Sequence, residues 1–600
     1  MKTIEKGLFV INKGKSMREG VFASDFRDMV EITIWCKDTR ACKLCLYRGK
    51  ERIYKIPMFS MEQEGAADLF SLRLEGKGIT EFLKDCEYVF EADKHRVNDP
   101  FMRATAGRDE FGNKGRLRGR FSFEEFDWEG EDRKNISYED MILYQCHLRG
   151  YTRHSSSGVK HPGTFSGFAE KADYIKELGV NTILFLPIYD FNERMNLFEK
   201  KINYWGYTGD ACYFAPKASY AVNGKEAVTE LKQMIKKLHQ NGINVLLDMH
   251  FAGQTPEFIV RCLRYYVTEY HVDGFLVNTG EVPKQWLDAD PVLRQCKFLG
   301  SQWKEAALVN GEKKFGIFND EFLTVARRYL KSDEGQVSDF VRLFRADERE
   351  VGVVHYITKK DGFTLRDLVS YDIKHNEGNG ERNSDGTEFN YSWNCGQEGT
   401  SRKRTVNAMR LRQTKNALCM LLLGLATPMI LAGDEFCRTQ KGNNNAYCQD
   451  NATTWLDWRL MSKNSEVFSF TKMLIAFRKT CALYKKKETL NGMDTKGVGA
   501  PGVSAHGVEP WEANYSYYSR EVGILFYGAY YKGKSLYIIF NFHWDAHEFY
   551  LPVVNSTKKW NVLFDTSQKE GGKTEKGIKK YVVSPRSVVV LEEAGESGTI

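Results

Sequence analysis

A chain of 600 residues is too long for one compact domain and predicts two or three. Its 42% hydrophobic and 28% charged residues suffice for a large core without metals or disulfides, which excludes the disordered and disulfide-stapled classes. The net charge of +7 comes from 86 basic and 79 acidic side chains that are interspersed, so the chain carries no nucleic-acid footprint.

Residues 1–20 alternate charges with small residues and contain no apolar core of a secretory signal. The 13 cysteines read as reduced, buried thiols of a cytosolic protein, so the expected location is cytoplasmic. Residues 1 to about 125 carry short alternating runs, Val30–Trp35, Cys42–Tyr47 and Leu69–Leu74, separated by Gly, Asp and Lys clusters. That texture predicts an N-terminal β-sandwich over 1–125.

From about residue 138 the pattern changes. Met141–Leu148 reads as a strand, Phe168–Gly179 as a helix, Thr182–Pro187 as a strongly apolar strand, Lys225–Gly242 as a helix and Val245–Asp248 as a strand. Strands alternating with helices imply a parallel sheet with right-handed crossovers. Near-continuous apolar strands fit a barrel interior, predicting a barrel domain over 126–495. The run Tyr270–Asn278 is read as another buried strand, ending in Asn278 before a Thr-Gly turn. The most apolar stretch, Ala417–Gly433, is broken by Gly424 and Thr427-Pro428, so it predicts a buried helix, a turn and a strand rather than a membrane span. After residue 495 the helices stop. Ser516–Tyr518, Val522–Tyr527, Ser535–Phe542 and Tyr581–Leu591 predict a C-terminal β-sandwich over 496–600. The 13% aromatic content fits sugar platforms or the cores of such sandwiches equally well.

Several long strings carry a resemblance. Tyr144–Thr152 followed by His161–Phe165 is similar to the first barrel strand of isoamylases and type I pullulanases. Leu184–Glu193, Asn203–Tyr207, Tyr213–Pro216, Asp361–Leu365, Leu368–Tyr371, Lys374–Glu377, Asn390–Gly396, Thr427–Phe436 and Asn443–Asp450 extend the match. The chain is thereby identified as a member of the α-amylase superfamily, glycoside hydrolase family 13, in the debranching branch that acts on α-1,6 linkages. The resemblance implies a (β/α)8 TIM barrel flanked by two β-sandwiches, the first similar to carbohydrate-binding module family 48. Sugar contact by that module and a purely structural lid are equally open.

A retaining glycosidase of this kind needs two carboxyl groups about 5 Å apart, one as nucleophile and one as general acid. The nucleophile strand in the family reads D-G-F-R-F-D; here it is Asp273-Gly274-Phe275-Leu276-Val277-Asn278. Asn278 occupies the nucleophile position and Leu276 the position of the Arg that aims it. The general acid lies in an A-E-P-W string, matched here by Gly300-Ser301-Gln302-Trp303, which puts Ser301 at the acid position. A serine hydroxyl is too weak an acid to protonate a leaving group near neutral pH. The D-x-x-x-N-H block is Asp248-Met249-His250-Phe251-Ala252-Gly253, without its Asn and His. The His-Asp pair of the seventh strand is Lys360-Asp361, which retains the transition-state-stabilising Asp361 and loses the His.

Tyr207, Trp205, Trp303, Asp248 and Lys360 remain as candidate substrate-binding residues, with Tyr207 at the stacking position for the sugar to be cleaved. For Trp393 the filling of the barrel mouth is the preferred reading. A lone Asp-to-Asn change would fit a substrate trap, but it leaves Leu276, Ser301, Gly253 and Lys360 unexplained. Glu281, Glu305 and Glu257 are the nearby carboxylates that relocated catalysis would need. Three functions follow: a non-catalytic α-glucan-recognising or regulatory member, partnering an active debranching enzyme; an active debranching hydrolase with displaced groups; and a scaffold that has lost sugar binding. No cofactor and no metal is expected, because no His-x-x-x-His pair stands in the barrel motifs; a calcium site of carbonyls and carboxylates stays open. No nucleic acid and no membrane is expected as partner.

Overall fold

The computed structural model describes residues 9–594 apart from 114, 195–200, 208–209, 304–305, 487, 555–558 and 569–574. Two antiparallel sheets form the N-terminal part. Val10–Asn12, Leu69–Glu75, Met29–Trp35 and Gly20–Ala23 make one; Ala104–Ala106, Arg118–Arg120, Glu87–Ala92, Cys42–Arg48 and Glu51–Pro57 make the other. Alternating apolar residues such as Val30, Ile32, Leu44, Leu46, Leu72, Leu74 and Phe90 meet between them. The sandwich runs on past Asp99, because Arg118–Arg120 pairs with Ala104–Ala106 on one side and with Glu87–Ala92 on the other. Cys42 and Cys45 have C-x-x-C spacing, yet both lie within one strand, where positions i and i+3 face opposite sides. Both are free thiols, as are the other cysteines.

Eight parallel strands close into a barrel: Leu143–Cys146, Thr182–Phe185, Asn244–Met249, Gly274–Val277, Lys297–Gly300, Phe315–Phe318, Gly352–His355 and Thr427–Leu431. Leu143, Leu184, Leu246, Leu299, Val354 and Met429 fill its interior. Tyr138 plugs the N-terminal end. Its ring occupies space that a Cβ at Gly352 would enter, at 2.4 Å, and its hydroxyl donates to Lys314 O at 3.2 Å. The apolar stretch after residue 404 resolves into the helix Arg404–Leu422 and the eighth strand, with the turn at Gly424 between them. Tyr270 differs from expectation. It ends the helix Pro256–Tyr270, which His271 stops in the left-handed conformation (φ 55°), and the strand starts only at Gly274.

The C-terminal sheet runs Val503–His506, Glu521–Phe526, Leu536–Asn541, Ser587–Glu593, Trp560–Asp565, and a hairpin-like pair, His547–Tyr550 with Lys580–Val583, covers one face. Leu525, Tyr537, Ile539, Val589 and Leu591 pack under that pair, whereas Ile538, Phe540 and Val590 join the barrel core, with Phe540 5.0 Å from Phe340. Ser516–Tyr518 forms no strand; Tyr517 and Tyr518 are exposed, and alternation alone cannot hold a strand that lacks a neighbour.

A buried seam ties the N-terminal sandwich to the barrel. Asp190, fully buried, accepts from the Arg108 guanidinium at 3.1 Å and from the Thr105 hydroxyl, and Lys217 lies 3.8 Å away. Lys217 also pairs with Glu193 at 2.5 Å.

Candidate active site

The carboxyl ends of barrel strands are where such folds place their chemistry. The third strand ends at Met249, so Asp248 points into the mouth. The hydroxyl of Tyr207 donates to Asp248 Oδ2. Tyr207 is aimed there by the tight turn before it: Asn203 Oδ1 accepts from Gly206 N at 3.0 Å, and Gly206 has φ 86° with a Phe191 ring where its Cβ would stand. His147 stacks on Tyr204 at 3.8 Å and braces the same turn. Burial raises the Asp248 carboxyl above its usual range, and the Lys360 ammonium opposes that rise.

After the seventh strand the chain passes through Lys359, Lys360 and Asp361. Lys360 N donates to Gln145 Oε1 of the first strand at 2.9 Å, which fixes its backbone at the mouth. Its ammonium lies 4.3 Å from the centre of the Tyr207 ring and 5.2 Å from that of Trp205. Asp361 has Lys359 at 3.6 Å and Lys360 at 3.8 Å. Tyr207, Asp248, Lys360 and Asp361 therefore form one cluster, with Trp205 at its edge, 6.5 Å from Tyr207.

The fourth and fifth strands pair in parallel, Leu276 beside Leu299. Just beyond the two strands, the Thr279 and Ser301 hydroxyls are 3.1 Å apart. Asn278 is exposed, and its Oδ1 accepts from Gly280 N at 3.1 Å, so the side chain serves its own turn. Leu276 packs against the apolar barrel interior. Gly253, at φ 66°, has no atom within 4 Å of a built Cβ.

Trp303 takes no part in the mouth. It is 8% exposed, lies tilted against Phe315 with ring centres 4.7 Å apart and donates to Gly316 O at 3.1 Å, so it offers no free face to a sugar. The absence of a side chain at Gly300, where a Cβ would stand 3.2 Å from the Trp303 ring, and the aromatic at 315 make that pocket, a tertiary feature that a W in a motif string does not reveal. Trp393 has the Arg586 guanidinium 4.3 Å over its ring, at the junction with the C-terminal domain. Among the alternative carboxylates, Glu257 is exposed on a helix, Glu305 lies outside the described residues, and Glu281 follows the fourth strand with a buried Oε2 that has no hydrogen-bond partner. Gln145 and Lys359 were not singled out from the sequence; the doubled lysine before Asp361 was the available signal for the second.

Among the described residues no group of three or more His, Cys, Asp and Glu is placed to hold a metal ion, and no helix is long and apolar enough to cross a membrane.

An eight-stranded parallel barrel between two β-rich domains, with a tyrosine–aspartate pair at its mouth, is the architecture these elements build. The α-amylase catalytic domain profile matches residues 122–309. Isoamylase 1 of Arabidopsis thaliana is 30% identical over 83% of this chain and 76% of its own length. The glycogen debranching enzyme of Erwinia tasmaniensis is 36% identical over 59% of this chain and 65% of its own. Among solved structures, the catalytic module of the glycogen-degrading pneumococcal virulence factor SpuA superposes with a TM-score of 0.75 over 98% of each chain, at 16% identity, a likeness of fold. The chain belongs to the α-amylase superfamily, glycoside hydrolase family 13, alongside isoamylases and glycogen debranching enzymes.

Proposed function

We propose that this chain is an α-glucan-recognising member of the debranching family without glycosidase activity. The observation that carries the reading is the pair of strand ends: Asn278 and Ser301, neither able to ionise as the chemistry requires, follow paired strands whose next residues touch through Thr279 and Ser301 at 3.1 Å. Restoring the reaction would take a nucleophile and an acid together.

What remains suits binding. Tyr207 and Trp205 carry ring faces on which a sugar can stack once the Lys360 ammonium moves aside, and Asp248 and Asp361 offer acceptors for sugar hydroxyls. The relatives named isoamylase and glycogen debranching enzyme, and a Group B Streptococcus pullulanase solved with maltotetraose, support α-glucan as the ligand class. An active debranching enzyme is the fitting partner for a subunit that binds glucan and does not cut it.

A second reading, an active enzyme with displaced groups, is favoured by one observation: the unpartnered Oε2 of Glu281 beyond the fourth strand. Release of reducing ends from pullulan and glycogen decides between them. Activity well above a blank that disappears in Glu281→Gln establishes the second reading. Retardation in a glycogen-containing native gel, with no reducing ends released, establishes the first. Neither retardation nor activity leaves a scaffold.

A further inference from the structure

A cavity of about 400 Å³ lies between the N-terminal sandwich and the barrel, walled by the strand Gly20–Ala23 with the residues before it, and by the helix Pro256–Tyr270. Four arginines line it, Arg18, Arg103, Arg261 and Arg264, against a single acidic residue, Glu19. Arg261 pairs with Glu19 at 3.1 Å, and Arg264 reaches Asp290 outside the cavity at 3.3 Å. Among the described residues, no carboxylate lies within ion-pair distance of Arg18 or Arg103. Both instead lie over the Phe22 ring, at 4.2 and 5.2 Å, and Arg103 also lies 5.2 Å from the Tyr265 ring. Arg261 stacks on Phe101 at 4.0 Å.

Guanidinium groups held over ring faces keep N–H groups free to donate. Arg18, Arg103 and Arg261, together with Arg264, repel one another in one cavity. Burial, followed by the charges of Arg103, Arg261 and Arg264, lowers the pKa of Arg18. A folded protein relieves that crowding with a carboxylate or with a bound anion, and only one carboxylate is present here. We propose that this cavity binds a phosphate ester whose phosphoryl group sits among Arg18, Arg103 and Arg261 and whose organic part fills the rest of the cavity, beside Phe214 and Thr268. A phosphoryl group brings up to two charges and three terminal oxygens, matching several guanidiniums at once, whereas a carboxylate satisfies one fork. The volume of about 400 Å³ admits a hexose phosphate or a nucleotide. The site is remote in composition from the mouth: it shares no residue with the Tyr207 cluster, so it stands apart from the reading of that cluster as a glucan site.

Calorimetric titration of the full chain with inorganic phosphate, glucose 6-phosphate, ATP and, as a neutral control, glucose tests the assignment. At least one ester is expected to bind with Kd below 1 mM, tighter than inorganic phosphate, and to raise the melting temperature. Glucose 6-phosphate binding tightest identifies a sugar phosphate; ATP binding tightest identifies a nucleotide. Arg18→Ala with Arg103→Ala should weaken that ester at least tenfold, and Arg18→Lys should do so less. Glycogen retardation should be unchanged in the double variant, and its own melting temperature without ligand reports that it folds. No ester binding below 1 mM, or undiminished affinity in a folded double variant, overturns the proposal.

Discussion

The Lys360 ammonium lies 4.3 Å from the centre of the Tyr207 ring, on a face of the very side chain that the family offers to a sugar. A cation held against an aromatic face is worth about 0.5–2 kcal/mol. A glucose ring stacking on that face has first to displace it. The same ammonium stands 3.8 Å from Asp361, where it draws the carboxylate away from any cationic transition state.

The first prediction concerns catalysis. The wild-type chain should release no reducing ends from pullulan, and Asn278→Asp alone should not create activity. With Ser301 in place the leaving oxygen departs unprotonated, a loss of about 100- to 10,000-fold. Nucleophile and acid act as a unit, so their effects do not add. Asn278→Asp, Ser301→Glu, Leu276→Arg, Gly253→His and Lys360→His should be assayed singly and together. Maltotriose released by the first substitution on its own would show that the site lacked only one residue.

The second concerns glucan binding. Tyr207→Ala should weaken retardation by glycogen about tenfold, equivalent to ~1.4 kcal/mol. Lys360→Ala should tighten it, because the stacking face is then free. Weaker binding in Lys360→Ala would mean that the ammonium itself holds the sugar.

The third concerns pH. Asp434, fully enclosed after the eighth strand, accepts from the Thr358 hydroxyl and from Leu365 N, and burial pushes its pKa up to about 7. Glu435, bonded by Tyr144 and Tyr174, is shifted the same way by burial. The folded state then holds its protons more tightly than the unfolded state, whose aspartates titrate near 4, so stability falls as pH rises from about 4 to about 7 and levels off above. Asp434→Asn should make that slope shallower in melting curves collected across this window. Profiles that superpose would refute the assignment.

The fourth concerns the barrel floor. Asp273 accepts from Arg133 at 2.7 Å and Val245 N at 2.8 Å, and lies 2.9 Å from His239 Nε2; His239 and His271 both reach Glu131. Burial lowers the pKa of His239, but Asp273 and Glu131 outweigh it and the net shift is upward. Asp273→Ala removes the charge around which these groups are arranged and should cost about 3 kcal/mol in urea unfolding. A change below ~1 kcal/mol would show the network to be dispensable.

The fifth concerns metals. Treatment with a chelator should leave the melting temperature unchanged, since no carboxylate or histidine cluster stands ready among the described residues. A fall of several degrees would reveal a calcium held partly by backbone carbonyls.

Much of the fold could be read in advance where pattern and packing agree. The run from Ala417 became a helix, a turn and a barrel strand because Gly424 and Pro428 leave the chain few alternatives. Tyr270 misled because an apolar residue at a helix end looks like the first residue of a strand; only His271, in a left-handed conformation, marks the break. Tyr517 and Tyr518 alternate like a strand but join no sheet among the described residues, since strand pairing is a property of the neighbour. In the mouth, Tyr207, Asp248, Lys360 and Asp361 were nameable from motif strings, but their mutual contacts were not. Trp303 shows the converse, a motif residue turned inward by the space beside Phe315.

The seam at Asp190 bears on how such a protein can change over generations. Remove the sandwich, and Arg108 and Thr105 go with it; Lys217 is left as one ammonium between the carboxylates of Asp190 and Glu193. A chain recombined at that boundary would start with an excess buried charge and too little stability to be retained. Exchange of the domain in front of the barrel thus carries a cost in buried charge that a change in the loops at the mouth does not.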